Sequence, residues 1–190
     1  RLHFDLTGLP PEFGTVVDYV TAEANPRTYE QLVDSLLASP HFGERMAMYW
    51  LDLVRYADTV GYHGDQDHSI SPYRDYVIDS MNRDTPRDRF IREQLAADWF
   101  YTEQTNLKPA LGFIAAGPLE LSRAGTAPVT LDYLDRDDMV AQTMAAFTST
   151  TANCARCHDH KFDPVTQEDY YSLHAVFAGI GKGDVEFDED

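Results

Sequence analysis

Ser39-Pro40-His41-Phe42-Gly43-Glu44-Arg45-Met46-Ala47-Met48-Tyr49-Trp50-Leu51-Asp52-Leu53-Val54-Arg55-Tyr56-Ala57 is the stretch that fixes the fold class. From about Gly43 to Ala57 it sets Met46, Tyr49, Trp50, Leu53 and Tyr56 or Ala57 on one side at three-and-four spacing, which predicts a long helix with a largely buried face. Upstream, after the break at Asn25-Pro26, Tyr29, Leu32, Val33, Leu36 and Leu37 recur at the same spacing, and Ser39-Pro40 ends that helix. Two successive amphipathic helices point to an α-helical core.

The pattern continues in both directions. Leu6-Thr7-Gly8-Leu9-Pro10-Pro11 reads as a turn-rich opening, with the prolines leading into a helix carrying Val16, Val17, Tyr19 and Val20. From Asp58 to Pro72 the periodicity gives way to a long polar loop, a length that tends to carry function. It returns with Tyr73, Tyr76, Val77, Ser80 and Met81; Thr85 then offers an N-cap and Pro86 a first helical position ahead of Phe90, Ile91, Gln94, Leu95 and Trp99. Between Thr102 and Thr130 glycines and prolines predict an irregular stretch with a short apolar helix near Ala110 to Ala116. A helical stripe resumes over Leu131 to Phe147. No alternating pattern long enough for a sheet occurs, so the fold class is mainly α: a single multi-helix domain over residues 1–190 with long irregular loops.

That last stripe delivers the chain to Asn153-Cys154-Ala155-Arg156-Cys157-His158-Asp159-His160-Lys161-Phe162-Asp163-Pro164. Cys-x-x-Cys-His is the attachment signature of a c-type haem. Two thiols one turn apart can each add to a vinyl group, and the adjacent imidazole lies under the ring to bind iron, so Cys154, Cys157 and His158 form one unit. A thioredoxin-like thiol pair expects a βαβ setting, which is missing. Zinc on Cys154, Cys157, His158 and His160 lacks a distant second ligand pair, since the chain has no other cysteine. A disulfide over so short a loop is strained and stabilises little. Beyond the motif, Asp163-Pro164 makes a turn and Thr166-x-x-Asp169 resembles a capping box for a helix with Tyr170, Leu173, His174 and Phe177 on one face, ended by Gly179, Gly181 and Gly183. The haem-attachment segment therefore covers about residues 147–178.

Lys+Arg 15 against Asp+Glu 32 gives a net charge of −17, which repels phosphate backbones and anionic headgroups. Nucleic acid and anionic membrane surfaces are therefore not expected as partners, and no apolar run approaches the length that spans a bilayer. The acidity suits solubility outside the cytoplasm, calcium coordination by clustered carboxylates or docking to a basic redox partner; a solvated surface is the plainest reading, and charge sign alone does not choose among them. Because c-haem attachment takes place outside the cytoplasmic membrane and the chain starts at Arg1 without a signal peptide, it is expected to be a piece of a longer exported protein, periplasmic or extracellular.

Several separated motifs stand in a familiar order: Leu6 to Pro11, Ser39 to Arg45, Trp50-Leu51-Asp52-Leu53-Val54-Arg55-Tyr56-Ala57-Asp58, Tyr73-Arg74-Asp75-Tyr76-Val77, Glu93-Gln94-Leu95-Ala96, Cys154 to Pro164 and Gln167-Glu168-Asp169-Tyr170-Tyr171. In these the chain resembles the planctomycete cytochrome-like domain family, domain of unknown function 1549, from near Arg1 to about Ala178. The resemblance implies a domain of a large exported planctomycete protein, accompanied by further cytochrome-like, partner or carbohydrate-binding modules. This chain has Met46 where such domains often have Trp, and Tyr49 where many have His.

His158 is the expected proximal ligand of the covalent haem. His41 and His63 are the distal candidates, ahead of His68, His174, Met46, Met139 and Met144. Arg55, Arg74, Arg156 and Lys161 are candidates to pair with haem propionates, and His160 for a hydrogen bond there. Asp58 and Asp65-Gln66-Asp67 have the oxygen density of a calcium loop without the helix-loop-helix spacing. Three functions follow: one-electron transfer to a redox partner protein or an adjacent domain, a peroxidase- or oxidase-like enzyme with an open iron face, and a haem-stabilised module presenting the 102–130 stretch and aromatics to polysaccharide. Electron transfer is favoured, because haem is the only explicit chemistry in the sequence.

Overall fold

In the computed structural model, which describes residues 1–22, 25–61, 65–121 and 127–186, nine α-helices pack without a sheet. They are α1 (Leu2–Thr7), α2 (Phe13–Thr21), α3 (Pro26–Leu37), α4 (Pro40–Leu53), α5 (Ser71–Asn82), α6 (Arg87–Phe100), α7 (Gly112–Ala115), α8 (Pro128–Thr148) and α9 (Gln167–Val176). Tight 3₁₀ turns cover Thr105–Leu111, Ala152–Arg156 and Phe177–Gly179. Among the described residues extended pairing is limited to one isolated bridge, Thr59 with Asp67.

Asn25-Pro26 and Ser39-Pro40, which the sequence marks as a break and as the end of a helix, both start helices, and α4 begins at Pro40 rather than near Gly43. The Asn25 side chain accepts from the Arg27 amide and the Ser39 hydroxyl from the His41 amide, each followed by proline at the first helical position. At α6 the expected Thr85 cap is absent; Pro86 occupies the cap position, and proline has no side-chain acceptor to offer. The turn-rich opening is also corrected. Residues before Gly8 form α1, too short for a periodic signature, and Gly8 closes it in the left-handed conformation at φ 71°.

α4 is rotated from the face the sequence suggested. Gly43, Ala47 and Val54 are buried with Trp50 packed against the core, whereas Tyr49 and Leu53 are exposed. The reason is close approach to α5: a Cβ on Gly43 would lie 2.5 Å from both the Asn82 side chain and the Ile78 carbonyl. Small residues therefore define the contact face, and the larger apolar ones flank it. The helix also stops at Leu53 rather than Ala57, because Arg55 takes φ 57° and turns the chain away.

Trp50 is the hub of the core, with ring centroids 5.0 Å from Phe90, 6.3 Å from Phe113 and 5.7 Å from Phe147. Its indole N–H lies 2.9 Å from Gln94 Oε1 and 3.0 Å from the Tyr73 hydroxyl, which itself donates to Gln94 at 2.8 Å. Next to it Glu93, 1 % exposed, accepts from Tyr76 at 2.8 Å and from Arg89 Nε at 2.6 Å. Burial pushes the phenols of Tyr73 and Tyr76 well above their ordinary range. This polar network links α4, α5 and α6. α8 then crosses from the Arg55 end of α4 to the Trp50 core, and Ser149, at φ 56°, turns the chain into the cysteine segment.

Candidate functional site

The Cys-x-x-Cys segment is a 3₁₀ turn anchored from beneath. Ala152 and Ala155 are fully buried, while Cys154, Cys157 and His158 on either side of Ala155 are exposed. Both cysteines are free thiols. The alternation follows from the short turn: an alanine small enough to sit against the core directs its flanking side chains outward.

Five hydrogen bonds tie this segment, α8 and α9 together. Asp137 of α8 accepts from Arg156 Nη1 at 2.5 Å and from the Tyr170 hydroxyl. The Arg156 carbonyl accepts from Gln167 Nε2 at 3.0 Å and from the Tyr171 hydroxyl at 3.1 Å. Asp159 Oδ1 caps the Gln167 amide at 2.8 Å. The capping box at the start of α9 is complete, with Thr166 and Asp169 bonded reciprocally, and those donors hold the Asp169 carboxyl below its usual range. Burial, reinforced by Asp137, pushes the Tyr170 phenol well up. The Asp137 carboxylate likewise raises the Arg156 guanidinium.

The two histidines of the segment carry opposite tautomers. His158 Nδ1 lies 2.7 Å from the Asp159 carbonyl, which can only accept, so Nδ1 holds a proton and, in the neutral ring, Nε2 carries the lone pair. His160 Nδ1 lies 2.8 Å from the Asp163 amide and 3.3 Å from the Phe162 amide, which only donate, so Nδ1 is the acceptor and the proton is on Nε2. With backbone donors on that nitrogen, the Asp163 carboxylate at 3.5 Å is a neighbour rather than an ion-pair partner. His158 has the arrangement of a metal-binding imidazole steadied by a carbonyl. His160 instead shapes the loop.

The remaining candidates are dispersed. Arg55 grips Asp138 with two bonds, 2.6 and 3.0 Å, and Gln142 at 2.6 Å, so its fork is filled by α8. Arg74 pairs with Asp75. Lys161 lies 5.1 Å over the Phe162 ring with no carboxylate partner among the described residues. His41 bonds Glu44 at 2.7 Å on the turn of α4 that packs near Asn82 of α5. His63 lies outside the described residues. His68 is tied by its amide to the Asp58 carbonyl, and Met139 and His174 are buried. Tyr56 donates to Asp58, and burial with that partner raises its phenol to about 12; Asp65 accepts from the Gly61 amide. No group of three His, Cys, Asp or Glu side chains converges on a metal position among the described residues, and this holds for Cys154, Cys157, His158 and His160 together.

A cleft of about 190 Å³ borders the turn, lined by Pro118, Glu120, Leu131, Leu134, Asp137, Asp138 and Asn153 among others. It is smaller than the usual enclosed ligand pocket, and neither cysteine lines it. The profile of one known family follows the chain over residues 1–182: PSCyt2, protein of unknown function (DUF1549).

The chain belongs to this family. Neither a curated protein nor a solved structure matches it. Within the PSCyt2 domain, Asp137, Tyr170 and Gln167 are the anchors that sequence reasoning missed. Their only signal is that Arg156, between the two cysteines, needs a carboxylate. No helix among the described residues is long and apolar enough to cross a membrane.

Proposed function

We propose that this domain carries one c-type haem, bound through Cys154, Cys157 and His158, and relays single electrons within or to a larger exported protein. The observation that carries the reading is the outward pair of free thiols astride buried Ala155, beside an imidazole whose Nε2 lone pair is bare. Each thiol would add across one vinyl group, its sulfur forming the new bond to carbon and its hydrogen passing to the other vinyl carbon. His158 Nε2 would bind the iron, with the ring oriented by the Asp159 carbonyl. Bound there, the haem supplies a one-electron iron couple.

The chain's own residues contribute rigidity. Arg156, clamped by Asp137, and Asp159, bonded to the α9 amide, keep thiols and imidazole in fixed relation. Lys161 is the cation available to a propionate beside the site. The test is expression in a host that matures c-type cytochromes, followed by a potentiometric titration and a pyridine haemochrome. A reversible one-electron wave, lost in Cys154→Ser and Cys157→Ser, is expected. Protein without haem absorbance overturns the reading; haem that binds cyanide or carbon monoxide readily and turns over peroxide replaces it with an enzyme.

A further inference from the structure

We propose that the loop leaving His158 is the docking face for a lysine-rich electron-transfer protein, with Phe162 at its centre and Asp159, Asp163 and Glu168 as its rim. This rests on the electron-transfer reading above.

Phe162 is 84 % exposed at the tip of a loop whose backbone is fixed, not loose. His160 Nδ1 holds the Phe162 and Asp163 amides, and the His160 amide donates to the Val165 carbonyl at 2.8 Å. The fold therefore holds a large aromatic ring in water four residues from His158. Tyr171, half-exposed, stands at the base of the same loop with its hydroxyl on the Arg156 carbonyl. An exposed aromatic on a rigid support, surrounded by charge, has the composition of an interface centre with a polar rim.

The rim selects the partner. Asp159, Asp163, Glu168 and Asp169 stand against Lys161 alone over residues 158–171, in a chain of net charge −17. Anionic surfaces are repelled, and a partner ringed by lysines is steered to this face at low salt. Phe13 and Val20 of α2 and Trp99 of α6 are also exposed, on helices other than α8 and α9, which hold the cysteine turn. A partner seated on this loop would stand next to Cys157 and His158.

The experiment is zero-length carbodiimide cross-linking of the mature chain to a lysine-rich c-type cytochrome, mapped by mass spectrometry, with affinities measured in parallel. Cross-links are expected at Asp159, Asp163 and Glu168 at about 0.01 M ionic strength and are lost near about 0.5 M. Phe162→Ser weakens binding on the order of 10-fold, Asp163→Asn with Glu168→Gln flattens the salt dependence, and Trp99→Ser changes neither. Cross-links concentrated on Glu120, Asp135 and Asp138, or scattered over the surface, overturn the proposal, as does unchanged affinity in Phe162→Ser. The readout uses carboxylates and lysines, not haem. Missing haem in the mature chain, not the cross-linking pattern, refutes electron transfer, so the two failures are read separately.

Discussion

Replacing Asp137 by alanine tests whether the cysteine turn is anchored as described. The Tyr170 hydroxyl, on a side chain with 0 % exposure, donates to this carboxylate. Without it the phenol is left buried and unsatisfied, at a cost of about 2 kcal/mol within a range of roughly 1–3. The Arg156 contact, on a half-exposed guanidinium, is screened by solvent and is left out of that figure. For a chain of 190 residues this lowers the melting temperature by about 4–8 °C. Urea denaturation followed by circular dichroism measures it: the midpoint falls and the slope stays constant. Tyr170→Phe supplies the control. In that background no phenol remains to be orphaned, so Asp137→Ala should cost far less, giving a coupling of about 1–2 kcal/mol. Strict additivity of the two substitutions would refute the pairing and with it the anchoring of the turn.

Three further outcomes are expected. Gly43→Ala forces a methyl against the Asn82 side chain and the Ile78 carbonyl and should destabilise the chain by about 1–3 kcal/mol, read from the urea midpoint; a neutral result contradicts the α4–α5 contact. Four tyrosines, Tyr56, Tyr73, Tyr76 and Tyr170, have raised phenols, so above pH 10 the folded chain holds protons that the unfolded chain has lost. Stability from these groups is fully present below pH 10 and falls as pH rises through about 12; an alkaline ultraviolet titration of the 11 tyrosines should show four titrating late or only on unfolding. In the haem-free chain Cys154 and Cys157 should both react at once with a thiol reagent under native conditions, and slow reaction of either contradicts their outward placement.

Much of the fold was legible because helix starts are local chemistry. Thr166-x-x-Asp169 announces a capping box, which forms, and Asn25-Pro26 and Ser39-Pro40, legible as breaks, turn out to cap the helices that follow them. The face a helix buries was less legible. At α4 Gly43 and Ala47 decide the face through backbone proximity to α5, a non-local fact that a stripe of Met46, Tyr49 and Leu53 cannot express. At α6 the polar Glu93 and Gln94 are buried while Trp99 is 80 % exposed, because their partners Tyr76, Arg89, Tyr73 and Trp50 come from sequence-distant positions or neighbouring turns.

The site divides the same way. The Cys-x-x-Cys-His spacing is local, and its thiols and imidazole face outward as one unit. Arg55 and His41 were proposed on position alone, and the structure pairs them with Asp138 and Gln142 and with Glu44. The pairing of Asp137 with Tyr170 escaped notice because neither spacing nor residue type marks a carboxylate that meets a phenol 33 positions away.

The intact mass of the chain produced in a cytochrome-maturing host, followed by peptide mapping, bears most directly on the central claim. The predicted result is the mass of one haem added to the polypeptide and located on the peptide that holds Cys154 and Cys157, with no free thiol remaining. An unmodified mass with both thiols still titratable would contradict it.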